Sequence, residues 1–124
     1  MVVGDIDDGT LVIVSGQNTF EQAATDGWQA ENAQTGMDTI LSGSYSGDTE
    51  LHGVLSPNDT LARAALTSVD QAGKETPVIT GQDSEVESVK SIVAGEQYST
   101  IYKDTRELVA QTIASIEELA ACGE

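Results

Sequence analysis

Short apolar runs that stop at glycine or proline alternate along the chain with stretches whose apolar positions recur every three to four residues. The clearest unit is Pro77-Val78-Ile79-Thr80-Gly81-Gln82-Asp83 followed by Ser84-Glu85-Val86-Glu87. The β-branched run predicts a strand over 78–80. Ser84 and Glu87 stand at the spacing of a capping box. A helix over 84–94 is therefore predicted, with Val86, Val89, Ile92 and Val93 apolar and Gly95 as its C-cap. The same grammar recurs before and after. Leu11-Val12-Ile13-Val14 is the kind of continuous run that a strand buried on both faces needs. Leu51–Leu55 and Tyr98–Tyr102 predict two more strands, and Pro57 stops the first of these because it cannot donate to a ladder. Asn58, Asp59 and Thr60 are N-cap types. They precede a helix over 60–72 carrying Leu61, Ala62, Ala65, Leu66 and Val69.

Ala30, Ala33, Met37, Ile40 and Leu41 predict a helix over 29–41. Asp104 and Glu107 form a cap pair ahead of a last helix over 104–121. Its Leu108, Val109, Thr112, Ile113, Ile116 and Leu119 fall on one stripe. Phe20, Ala23 and Ala24 fit a short helical turn broken by Gly27-Trp28, and Met1 to Gly9 reads as a charged, turn-rich connector. Four strand–helix units predict an α/β domain, residues 1–124, with a parallel sheet, flanking helices and right-handed crossovers.

Composition narrows the function. Hydrophobic residues make up 39% of the 124 and aromatics 4%, so the core is aliphatic. Five basic residues against 21 acidic ones give a net charge of −16. That excludes a nucleic-acid binder, which needs a basic face for phosphates. Cys122 is the single cysteine, so no intrachain disulfide forms, and no neighbouring cation activates its thiol. Met1-Val2-Val3-Gly4-Asp5 lacks the basic and apolar regions of a signal peptide, and no segment reaches the roughly 18 apolar residues of a membrane span. There is no G-x-G-x-x-G, P-loop or G-x-S-x-G pattern, so no nucleotide cofactor, and no nucleophile–base pair that would make an enzyme. His52, the one histidine, lies at a strand start. Asp5, Asp7 and Asp8 lack calcium-loop spacing, so no metal is expected.

In a parallel sheet the strand ends share one rim, where ligands of open α/β sheets sit. The residues placed there are Gln17 and Asn18, Asn58 and Asp59, Gln82 and Asp83, and Lys103 and Asp104. Carboxylate accepts, ammonium donates and amide does both, which suits a neutral polyhydroxyl ligand. Each residue also suits a helix N-cap or a turn. The strongest set is Asn58, Asp83 and Lys103, with Asp59 beside Asn58.

The succession of motifs carries a resemblance. Val54-Leu55-Ser56-Pro57-Asn58-Asp59, Pro77 to Asp83, Val89 to Gln97 and Tyr102-Lys103-Asp104-Thr105-Arg106 follow one another in order. Ser15-Gly16-Gln17 through Ala24 and Trp28 to Gln34 precede them. This resembles the periplasmic sugar-binding proteins of bacterial ABC transporters, within them the xylose-binding and multiple-sugar-binding group. The resemblance implies a partial flavodoxin-like lobe of a periplasmic-binding-protein-like fold. In it Asn58, Asp59, Asp83 and Lys103 contact a monosaccharide, an aldose such as xylose or glucose. It further implies a periplasmic two-lobed parent that delivers sugar to a membrane permease. The chain would be the later part of the second lobe, with the first lobe and the opening units of the second absent. Loss of those units would leave a gap between Leu11–Val14 and Val54–Leu55, and a homodimer is expected to cover the bared edge. Two other classes fit parts of the pattern. A receiver-type signalling domain also places an Asp and a Lys at strand ends, but it needs an acidic pair after its first strand, and Asp7-Asp8 precede one. A flavodoxin-like electron carrier fits the acidity but lacks a Ser/Thr phosphate loop after the first strand.

Overall fold

The computed structural model describes residues 3–122. The elements are helix α1 (Val3–Asp7), α2 (Phe20–Ala23), α3 (Ala30–Ser44), strand β1 (Gly53–Val54), α4 (Asp59–Gln71), β2 (Val78–Gln82), α5 (Val86–Ala94), β3 (Ser99–Ile101) and α6 (Thr105–Ala121). A 3-10 turn over Asp26–Trp28 separates α2 from α3. The strands form one parallel sheet in the order β1-β2-β3. Gly53 is opposite Val78, and Thr80 opposite Ser99. Consecutive parallel neighbours joined by right-handed crossovers put α4 and α5 on the same face. The α/β class, the parallel pairing and the six helices and strands from β1 to α6 follow the sequence pattern.

The core is aliphatic and sits between β2, α4 and α3. Ile79 is buried against Ala62 and Leu66 of α4, with Val54 alongside. Met37 and Leu41 from α3, with Tyr45 at its C-cap, pack on Ala65 and Val69, over Ile40, Leu51 and Val54. The α4 stripe spaced at three and four residues is therefore the centre of the fold, in contact with the sheet and with α3. Full burial of one such aliphatic side chain stabilises by about 1.5–3 kcal/mol. Ser68 is also buried, and its hydroxyl donates to Gln34 O at 3.2 Å, linking the two helices.

Several expectations differ. Leu11–Val14 is no strand. Leu11 N–H donates to Asp5 O at 2.8 Å and Gly16 N–H to Ile13 O at 2.9 Å, so the backbone is used locally. All four side chains are exposed, Val12 at 72%. A strand of that composition needs a paired neighbour and cover on both faces, and no described element supplies either. The sheet therefore has three strands instead of four among the described residues, and β1 is its edge. No gap separates paired strands on that side. The connector expected before it contains α1, while residues 1–2 lie outside the described residues. The capping box at Ser84 is also not formed. The helix starts one turn-position later, at Val86, with Glu85 as a non-bonding N-cap, and Glu87 pairs with Lys90 at 2.7 Å. The bond that Ser84 makes is a tertiary one, described below.

The last helix stands apart energetically. α6 buries none of its residues, and Leu108, Val109, Ile113, Ile116 and Leu119 are each more than half exposed. Its start is set by Asp104, whose Oδ1 accepts from Arg106 N–H at 3.0 Å and whose carboxylate also pairs with the Arg106 guanidinium. Glu107 does not complete a reciprocal cap. No helix among the described residues is long and apolar enough to cross a membrane.

Candidate functional site

The carboxyl ends of the three strands carry the polar residues that the sequence places on one rim. Asn58 follows β1 and caps α4: its Oδ1 accepts from Leu61 N–H at 2.9 Å. That bond uses the oxygen and leaves the Nδ2 amide, which donates to no described residue. Asp83 follows β2 and Lys103 follows β3. Lys103 Nζ lies 2.6 Å from Asp83 Oδ1, with both side chains partly open to solvent. The rim is closed between β1 and β2 by Gln82, whose Nε2 donates to Pro57 O at 3.4 Å. An ion pair at the mouth of a sheet combines strong acceptors and strong donors within one hydrogen-bond length. Beside the free amide of Asn58, it can serve hydroxyls that both donate and accept.

Asp59 has a different setting. It is fully buried, and its carboxylate faces only donors. Oδ2 accepts from Glu85 N–H at 2.8 Å and from Thr100 Oγ1 at 2.9 Å, while Oδ1 accepts from Gln97 Nε2 at 3.2 Å. The structure thus brings Asp83 and Lys103 into contact and stations Asn58 on the neighbouring turn, but draws Asp59 beneath the rim. Gln17 and Asn18 follow no strand and lie apart from this set, in an exposed turn that leads into α2. His52 pairs with Glu50 on the surface at 2.9 Å.

The residues that hold the site in shape are mostly ones the sequence did not single out. Thr100 Oγ1 both donates to Asp59 and accepts from Ser84 N–H at 3.1 Å. Gln97, buried, ties Asp59 to Ser99 O. Gly81 is required by close approach: a Cβ there would overlap Asp59 Oδ1 and lie 2.6 Å from Gln97 Nε2. Glu85 accepts from Thr60 Oγ1 at 2.8 Å and from Arg63 Nη2 at 2.5 Å, and Arg63 Nη1 reaches Ser88 Oγ. The available signal was Gly81 itself, a glycine inside a strand, which marks a place where another group comes close. Among the described residues no group of three or more His, Cys, Asp or Glu could hold a metal ion.

Comparison with known proteins places this geometry in context. Residues 5–124 match the family described as "Periplasmic binding protein domain". The chain is 44% identical over 119 residues to the multiple sugar-binding periplasmic receptor ChvE of Rhizobium radiobacter, covering 92% of this chain and 33% of that protein. It is 32% identical over 112 residues to the D-xylose-binding periplasmic protein of Escherichia coli (strain K12), covering 90% and 31%. A solved structure of an ABC transporter solute-binding protein from Clostridium phytofermentans, with bound β-D-glucose, superposes with a TM-score of 0.83 at 36% identity, covering 95% of this chain and 37% of that one. The chain spans about a third of the length of the relatives it matches.

Proposed function

The chain belongs to the periplasmic binding protein domain family, and from that premise we propose that its strand-end rim is one half of a monosaccharide site. The observation that carries this is the Asp83–Lys103 pair at the carboxyl edge of the sheet, with the amide of Asn58 beside it. Its support is the likeness to a solute-binding protein that holds β-D-glucose. In this account Asp83 accepts from sugar hydroxyls, Lys103 donates to sugar oxygens, and Asn58 Nδ2 donates from the adjacent turn. The chain is the later part of the second lobe of a two-lobed periplasmic parent. The parent would deliver an aldose such as glucose or xylose to a membrane permease. It binds and does not catalyse.

A rim alone contacts one side of a sugar. Half of the hydrogen bonds and most of the desolvation belong to the surface opposite, so the isolated chain should bind with a Kd in the millimolar range or weaker, about −4 kcal/mol or less favourable. Calorimetry with glucose, xylose, galactose and arabinose tests this. Micromolar affinity would mean that the chain already holds a complete site.

Self-association is the second part of the proposal. The exposed apolar stripe of α6 and the open edge of β1 both favour pairing of two copies. The net charge of −16 opposes it. A homodimer is therefore expected to strengthen as salt screens the repulsion. Light scattering at low and high ionic strength decides: a 13.0 kDa monomer under both conditions contradicts it.

A further inference from the structure

We propose that Asp59 is a positioning residue: its buried carboxylate holds the turn that presents Asp83 to Lys103, and it does so without meeting a sugar. The inference rests on the proposed function only for its consequence in sugar binding. The positioning itself stands on geometry.

Two consecutive non-glycine residues at the end of β2 lie at positive φ, Asp83 at 104° and Ser84 at 52°. Such conformations cost non-glycine residues free energy and persist only where their surroundings over-determine them. Here three backbone donors in a row are captured. Asp83 N–H donates to Ile101 O at 2.9 Å, Ser84 N–H to Thr100 Oγ1 at 3.1 Å, and Glu85 N–H to Asp59 Oδ2 at 2.8 Å. The middle bond depends on the third acceptor. A threonine hydroxyl has one proton, and Thr100 gives it to Asp59 Oδ2 at 2.9 Å. That fixes the hydroxyl as an acceptor towards Ser84. Asp59 thus grips Glu85 directly and Ser84 through Thr100, and the turn can only carry Asp83 towards β3 and Lys103.

The chemistry calls for a carboxylate. Every group facing Asp59 is a donor: a backbone N–H, a hydroxyl and the Gln97 amide. A carboxylate only accepts. Full burial and three donors leave Asp59 no free face for a ligand, so its influence on a sugar must pass through Asp83.

The test uses the whole chain and amide hydrogen exchange followed by NMR, with Asp59→Ala, Asp59→Asn and Thr100→Val compared with wild type. In folded Asp59→Ala, exchange at Ser84 and Glu85 should accelerate about tenfold or more, the loss of roughly one net hydrogen bond each. Exchange at Val69, in the centre of α4, should change far less, which separates positioning from general loss of stability. Asp59→Asn keeps an oxygen for Glu85 and Thr100 but sets its amide N–H2 against Gln97 Nε2, so it should restore the protection only in part. Thr100→Val, which needs no change at the buried carboxylate, should release Ser84 and leave Glu85 protected; it carries the test if Asp59→Ala does not fold. Wild-type exchange at Ser84 in Thr100→Val, or at Glu85 in folded Asp59→Ala, overturns the proposal. Wild type and Asp59→Ala are then titrated with D-glucose. A wild-type chain with a held turn and no response at Asp83 or Lys103 refutes the proposed function and leaves the positioning intact. An equal response from Asp59→Ala with a released turn overturns the positioning role.

Discussion

Replacing Gly81 with alanine adds one methyl group at the point where β2, α4 and β3 meet. The new Cβ would overlap Asp59 Oδ1 and lie 2.6 Å from Gln97 Nε2. Neither neighbour can swing away freely. Asp59 is held by three donors, and Gln97 is buried and bonded to both Asp59 and Ser99 O. Overpacking of this kind costs about 1–3 kcal/mol. Losing one hydrogen bond to the charged group adds about 1.5–3 kcal/mol. The stiffer unfolded chain returns about 0.4–1 kcal/mol. The net loss is about 2–5 kcal/mol, a fall in urea midpoint of about 1–2.5 M at a slope near 2 kcal/mol/M. The control is Gly53→Ala, where a Cβ meets only Val78 O at an ordinary 3.5 Å; its stability should change by about 0.5 kcal/mol or less, a midpoint shift of about 0.25 M or less. If Gly81→Ala unfolds with the midpoint of the control, the hub is softer than its geometry implies, and the argument for a pinned turn fails with it.

Two further outcomes follow from the caps. Asn58→Ala removes the side-chain acceptor for Leu61 N–H and should lower stability by about 1 kcal/mol in urea; an unchanged midpoint would mean that the cap is idle. Bonding to the Arg106 side chain, and to its backbone N–H, holds the Asp104 carboxyl below the usual aspartate range. A lowered folded-state pKa stabilises above the ordinary range and ceases to do so as pH falls through the folded value. The first turn of α6 should therefore fray on acidification before the sheet responds, seen as faster exchange at Arg106 and Leu108. Fraying that begins at neutral pH would contradict that order.

Most of the fold was legible because its signals are local. The α4 stripe from Leu61 to Val69, the Pro57 stop and the αL glycine at Gly95 each specify structure from adjacent residues, and each is found. Leu11–Val14 was misread because an apolar run states only that a segment would be stable as a buried strand. Whether a partner strand exists is a property of the surrounding chain, and here the run is exposed. Ser84 was misread for a related reason. Its spacing to Glu87 favours a local cap, but Thr100, sixteen residues on, offers its N–H a competing acceptor. The site divides similarly. Asp83 and Lys103 were visible as charged residues at strand ends and do pair. Asn58 and Asp59 looked equivalent as neighbours, and only packing separates the half-buried cap from the buried hub. Gln97 and Thr100 act through distance in space, which no spacing rule records.

The central claim is that Asn58, Asp83 and Lys103 form a rim that takes a monosaccharide. It is tested most directly by titrating the isotope-labelled chain with D-glucose to several hundred millimolar and following every backbone amide. The expected result is saturable movement confined to the turns around residues 57–60, 81–85 and 101–104, at a Kd of about 1 mM or weaker, and abolished in Asp83→Ala. No movement at those turns, or the same movement in Asp83→Ala, would contradict it.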